Sequence, residues 1–79
     1  MMADASATEA YETKAKNILK AELKRRGITY AQLAERLKAV GANENERNLA
    51  NKISRGSFTA AFFMMCMDAI GTKAVSLET

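Results

Sequence analysis

Apolar positions along this chain recur at helical spacing in four separate stretches. Tyr11, Ala15, Ile18, Leu19 and Leu23 fall on one arc, with Lys16, Lys20 and Lys24 lined up away from it. This predicts a first helix from a cap at Thr8 to about Arg26, ended by Gly27 behind the basic turn Lys24-Arg25-Arg26. Thr29 and Gln32 have the spacing of a capping box, so a second helix starts at Tyr30. Its buried stripe is Tyr30, Leu33, Ala34, Leu37 and Val40, and Gly41 stops it. Asn43 or Asn45 can cap a third helix, with Glu44 and Glu46 at its positive end. Leu49, Ala50 and Ile53 face inward there, and Gly56 ends it. Ser57 or Thr59 caps a fourth helix running to Ile70 before Gly71.

The fourth helix differs in pattern from the others. Phe58, Phe62, Phe63, Met65, Cys66, Ala69 and Ile70 overfill a core-facing stripe, while Ala60, Met64 and Met67 occupy another side. A helix apolar almost all round is buried on most of its sides. In 79 residues that burial calls for a second subunit, so Met64 and Met67, with Val75 and Leu77 of the tail, are the candidate homodimer interface. The expected organisation is a flexible N-terminus over 1–7, a helical domain over 8–71, and a tail over 72–79 that packs down or forms a short strand. The fold class is a small all-α, four-helix domain. The absence of proline and the abundance of Ala, Leu, Lys and Glu agree with it.

Charge changes the picture from fold to function. The net charge of +3 is modest, yet residues 14–55 carry a balance of +7 and the remainder −4. A basic patch on the first three helices suits a polyanion, although a solvated helix face carries the same composition. The third helix is more specific. Arg47, Asn48, Asn51 and Arg55 lie on the arc opposite Leu49 and Ile53, flanked by Lys52. Asn is a poor residue in the middle of a helix, because it competes for backbone hydrogen bonds. Two of them placed there cost stability without packing gain, which argues for a reason outside the fold. A helix fits the DNA major groove, where Asn reads adenine and Arg reads guanine through paired hydrogen bonds.

Metal and enzyme chemistry find little support. There is no His, one Cys and no carboxylate cluster at ligand spacing. No Gly-rich phosphate loop is present, and Cys66 has no His to activate it. We therefore expect no enzyme activity, no cofactor, no metal and no small-molecule substrate. A lone cysteine in an apolar run reads as a small core residue and fits a reducing, cytoplasmic setting. No window has the length and apolarity of a membrane span, and no signal pattern opens the chain, so no membrane partner is expected.

With the helices placed, the pattern resembles the lambda-repressor-like helix-turn-helix fold of repressor and Cro-type proteins. The resemblance rests on Leu33-Ala34-x-x-Leu37, on Ile53-Ser54-Arg55-Gly56, and on the apolar fourth helix ending Ala69-Ile70-Gly71. It covers about residues 16–71 and includes short bacterial domains of the same arrangement. It implies that helix 3 is the recognition helix and that the protein is a sequence-specific binder of double-stranded DNA, a small transcriptional repressor. Arg47, Asn48 and Asn51 would read bases, Lys52 and Arg55 would lie nearer phosphates, and Tyr30 at the start of helix 2 matches a position that touches the backbone. Two departures stand out. Ala50 and Ile53 follow Ala34 by sixteen and nineteen residues. That is longer than in the compact motif, so either helix 2 is longer or the turn is expanded by GANENE. Ser54 also replaces the family's frequent Glu, and Glu22 on the first helix offers a reversed pairing with Arg47 or Arg55. The rival reading, from a different class, is a helical interaction module that kept the fold without DNA binding. The apolar fourth helix and the acidic residues beside helix 3 motivate it.

Overall fold

The computed structural model describes residues 5–78. Among them are four helices and no strand: α1 (Ala5–Arg26), α2 (Tyr30–Ala39), α3 (Glu46–Arg55) and α4 (Ala60–Ala69). α3 packs against α1 and α2, and α2 also packs against α4. The small all-α, four-helix class expected from the pattern is the observed one. One core joins all four helices: Ile18, Leu19 and Leu23 of α1, Leu33, Ala34 and Leu37 of α2, Leu49 and Ile53 of α3, and Phe62, Cys66 and Met67 of α4, with Ile70 just beyond. Leu19, Leu33, Leu37, Leu49, Ile53 and Cys66 are wholly withdrawn from solvent.

The helix boundaries follow from local chemistry. Thr29 accepts the Gln32 amide while the Gln32 side chain accepts the Thr29 amide, a complete capping box. Asn45 caps α3 by accepting the Asn48 amide at 2.8 Å, and Thr59 caps α4 by accepting the Phe62 amide at 3.0 Å. Caps of this kind each contribute about 1 kcal/mol. The space between α2 and α3 is an expanded turn, residues 40–45, and not a longer α2. Its start closes with the Ala42 amide donating to the Leu37 carbonyl at 2.9 Å.

Several expectations are corrected. α1 already runs from Ala5, so Thr8 lies within the helix and caps nothing; residues 1–4 of the expected flexible segment lie outside the described residues. Tyr11, assigned to the buried arc, is 70% exposed. The tight packing on this part of α1 is made by Glu12, and one residue of helical rotation, about 100°, turns Tyr11 away from it. Residues 72–78 form no strand, although Val75 packs down on the core. Met67 is buried among the core residues and is withdrawn from the intersubunit face assigned to it. Met64 and Leu77 remain exposed at 67% and 66%, so the outer face of α4 runs through Ala61, Met64 and Asp68.

Two contacts beyond the apolar core fix α1 to the rest. Near its start, Gly56 lies so close that a Cβ built there would stand 2.3 Å from the Glu12 carbonyl oxygen. Gly56 also has a φ of +72°, the left-handed region that side chains disfavour. Near its other end, Glu22 pairs with Arg25 and with Arg26 at 3.7 Å. Its Oε1 also accepts a hydrogen bond at 3.1 Å from the buried Thr72 hydroxyl, beyond α4. The reversed pairing of Glu22 with Arg47 or Arg55 is therefore not formed. The Arg25 hydrogen bond holds the Glu22 carboxyl below its usual 4.5, helped by Thr72 and the charges of Arg25 and Arg26, against an opposing desolvation.

Two predictions follow from these contacts. Gly56→Ala combines a positive φ with a backbone clash, and should cost about 2 kcal/mol or more of unfolding free energy in a denaturant titration. Glu22→Gln tests the second contact through pH. A carboxyl held low in the fold stabilises above its unfolded pKa, and that contribution disappears as pH falls through the folded value. The stability gap between native protein and Glu22→Gln should thus be full at neutral pH and close as pH drops below 4.5.

Candidate nucleic-acid interface

α3 is strongly two-sided. Leu49 and Ile53 anchor its inner face in the core, with Ala50 half-buried beside them. The Asn45 cap sets where the helix begins, and Glu46 places a negative charge in its first turn, where the helix dipole favours it. The opposite face carries Arg47, Asn48, Asn51 and Arg55, all exposed. Among the described residues none of these four side chains has a hydrogen-bond or ion-pair partner. Their donors and acceptors are presented to solvent on a helix whose orientation is set by its other face.

Lys52 is placed differently from its neighbours. Its ammonium pairs with the Glu44 carboxylate from the expanded turn and stands 5.0 Å from the centroid of the Phe62 ring. Glu44 is largely covered, at 13% side-chain exposure, whereas Lys52 is 46% exposed. Glu44 therefore does not serve the start of α3 as the spacing suggested; it ties the turn to the helix's flank. Phe62 belongs to a cluster with Phe58, 5.6 Å away, and Phe58 stacks on Phe63 at 6.1 Å. Lys52 and Arg55 together border a hollow of about 270 Å³ with Ser57, Phe58, Thr59 and Phe62. This hollow adjoins the C-terminal end of the exposed face.

Tyr30, expected at the backbone-contacting position, is half-buried against the core at the first turn of α2. It shares a shallow hollow of about 260 Å³ with Lys20, Lys24 and Thr29. The two lysines were legible as a stripe on α1, but their nearness to Tyr30 comes from the α1–α2 turn. In that turn the Ile28 amide donates to the Leu23 carbonyl at 2.9 Å and folds the start of α2 back beside the lysines. The structure thus presents two groups of cations, one on α3 and one at the α1–α2 corner.

Cys66 is buried in the core, within electrostatic reach of Glu44 and Lys52. Burial pushes its thiol up to about 12, Glu44 adds to the rise and Lys52 opposes it. Such a thiol is poorly ionised and inert. No group of three or more potential metal ligands among His, Cys, Asp and Glu occurs in the described residues. No helix among them is long and apolar enough to cross a membrane.

These features define a small all-α domain that holds one polar, cationic helix face outward from a single core. The chain belongs to the family described as a domain of unknown function, DUF6471, whose model matches residues 11–75 and so takes in α2, α3, α4 and most of α1. No curated protein and no solved structure matches the chain.

The buried thiol offers a direct probe of core integrity. In native protein near pH 8, Cys66 should react with a thiol-specific reagent at least about a hundredfold more slowly than in denaturant, because the thiolate is the reacting species. Fast labelling of the native protein would contradict the closed core.

Proposed function

We propose that this protein binds double-stranded DNA with the outer face of α3 in the major groove, and that it acts as a small transcriptional repressor. The observation that carries this reading is the set of four side chains, Arg47, Asn48, Asn51 and Arg55, without partners among the described residues, on the one face of α3 that the core leaves free. In this reading α2, the expanded turn and α3 form a helix-turn-helix of the lambda-repressor-like kind. Arg47, Asn48 and Asn51 contact base edges, because paired donors and acceptors on Arg and Asn match guanine and adenine in the major groove. Arg55 lies toward the sugar–phosphate backbone. Lys52 takes part there only by exchanging Glu44 for a phosphate, so its net contribution is smaller than that of a free lysine. Tyr30 touches the backbone at the start of α2, and Lys20 and Lys24 add positive charge beside it.

Two copies on a palindromic site place their α3 helices about one turn of DNA apart, roughly 34 Å. Regulation then follows from occupancy of the site and from the concentration of the protein itself. The site of action is the cytoplasm, at the nucleoid. Phosphate contacts release counterions, so affinity falls log-linearly with salt, whereas base contacts set sequence preference.

The reading is tested by selecting bound sequences from a random duplex library and then measuring the winner against variants. The Arg47→Ala/Asn51→Ala protein should keep native helicity and lose about 1–3 kcal/mol of discrimination per base contact removed. Arg55→Ala should weaken all duplexes alike and reduce the salt slope by roughly one. Failure of the native protein to be retained on a duplex column at low salt would reject the reading.

A further inference from the structure

The outer side of α4 carries a feature that the α3 surface does not use. A groove of about 380 Å³ runs between α4 and the chain that follows it. Its apolar lining is Phe63, Met64, Met67 and Val75, and its charged lining is Asp68 and Lys73. Met64 is 67% exposed, which is high for a large apolar side chain on a helix with so little polar surface. Asp68 and Lys73 are both exposed, and neither has an ionic or hydrogen-bonding side-chain partner among the described residues.

We propose that this groove is the surface on which a second copy of the chain docks, with Asp68 of each copy facing Lys73 of the other across a two-fold axis. A two-fold interface uses one patch twice, so each residue on it must find its match elsewhere on the same patch. One free anion and one free cation beside a common apolar floor satisfy that condition without any other molecule. An acidic or a basic partner would leave one of the two charges opposed. Long-range charge also selects this side. The +7 balance of residues 14–55 makes approach through α1–α3 repulsive, whereas residues 56–78 hold only Lys73 against Asp68 and Glu78. The proposal keeps Met64 from the expected interface, adds Asp68 and Lys73, and leaves buried Met67 only in the floor of the groove. In its purpose it rests on the duplex reading, which calls for paired α3 helices; in its chemistry it stands apart from nucleic acid.

The test is the mass of the full chain by sedimentation equilibrium, without DNA, over a concentration series reaching the sub-millimolar range. Native protein should dimerise reversibly. Asp68→Lys and Lys73→Asp each create two like-charge encounters per dimer and should weaken association by at least about tenfold. Both sites are exposed, and circular dichroism checks that each variant keeps its helices. The decisive sample is the equimolar mixture of the two single variants. In a mixed dimer each introduced charge meets its opposite, so dimer mass should return although neither variant dimerises alone. An internal Asp68–Lys73 interaction cannot give that result. Native protein that stays monomeric throughout, single variants that associate like the native chain, or a mixture no heavier than its components would each overturn the proposal. A native dimer that ignores duplex DNA sinks the duplex reading alone, and a monomer that binds duplex sinks only the interface.

Discussion

The orientation of α3 depends on the close approach of Gly56 to the backbone of α1. With a Cβ there 2.3 Å from the Glu12 carbonyl oxygen, the corner between α3 and α4 can lie against α1 only because residue 56 has no side chain. That contact holds the C-terminal end of α3 while Leu49 and Ile53 fill the core and Asn45 sets the helix's first turn. Three constraints on one ten-residue helix determine its rotation about its own axis. The face left over is then not a matter of side-chain choice. Whatever occupies positions 47, 48, 51 and 55 must point outward, and here it is Arg and Asn.

The Glu44–Lys52 pair shows how the same scaffold restrains part of that face. The turn is six residues long, and its Glu44 reaches back to the flank of α3. A largely covered carboxylate needs a cation, and Lys52 supplies one while also lying over Phe62. An ion pair of this kind gains little net stability, because desolvation offsets much of the attraction. Its effect is positional: it fixes a long turn that would otherwise be free to move relative to the helix it precedes. The cost is one cation withdrawn from the surface, which leaves Arg47 and Arg55 as the free positive charges of α3.

How much of this was legible in the sequence depends on the range of the interaction concerned. Thr29 with Gln32, and the glycines after each helix, act within a few residues, and the resulting boundaries of α2, α3 and α4 agree with the pattern. The inward faces of α2 and α3 were equally readable, because Leu33, Leu37, Leu49 and Ile53 leave one choice of buried side. The start of α1 was not, since Thr8 is a good cap only if the chain before it is not already helical. Tyr11 and Met67 were misplaced for a tertiary reason. Apolar periodicity identifies a stripe, but the part of the stripe that is covered depends on which neighbour arrives, and that is decided by Gly56 on α1 and by the packing of α2 on α4. Glu22 has local partners in Arg25 and Arg26, but its bond from Thr72 spans fifty residues and the Glu44–Lys52 pair spans eight, and no local signal exists for either.

The division between the two halves of the chain has a physical logic that joins these observations. A domain of this size cannot bury a large core, so most of its surface must be polar or be shared. α1 to α3 resolve this with charge, and Glu35 with Lys38 and Glu22 with Arg25 neutralise part of it locally. α4 takes part in no such pair among the described residues; Asp68 is its one charged residue. Its inner side fills the core through Phe62, Cys66 and Met67, and its outer side keeps Met64 in water. An apolar side chain left exposed on a small domain has a standing cost, which association removes and solubility limits. The proposed duplex face, Arg47, Asn48, Asn51 and Arg55, and the proposed docking groove with Met64, Asp68 and Lys73 share no residue, so the two proposals do not compete for the same side chains.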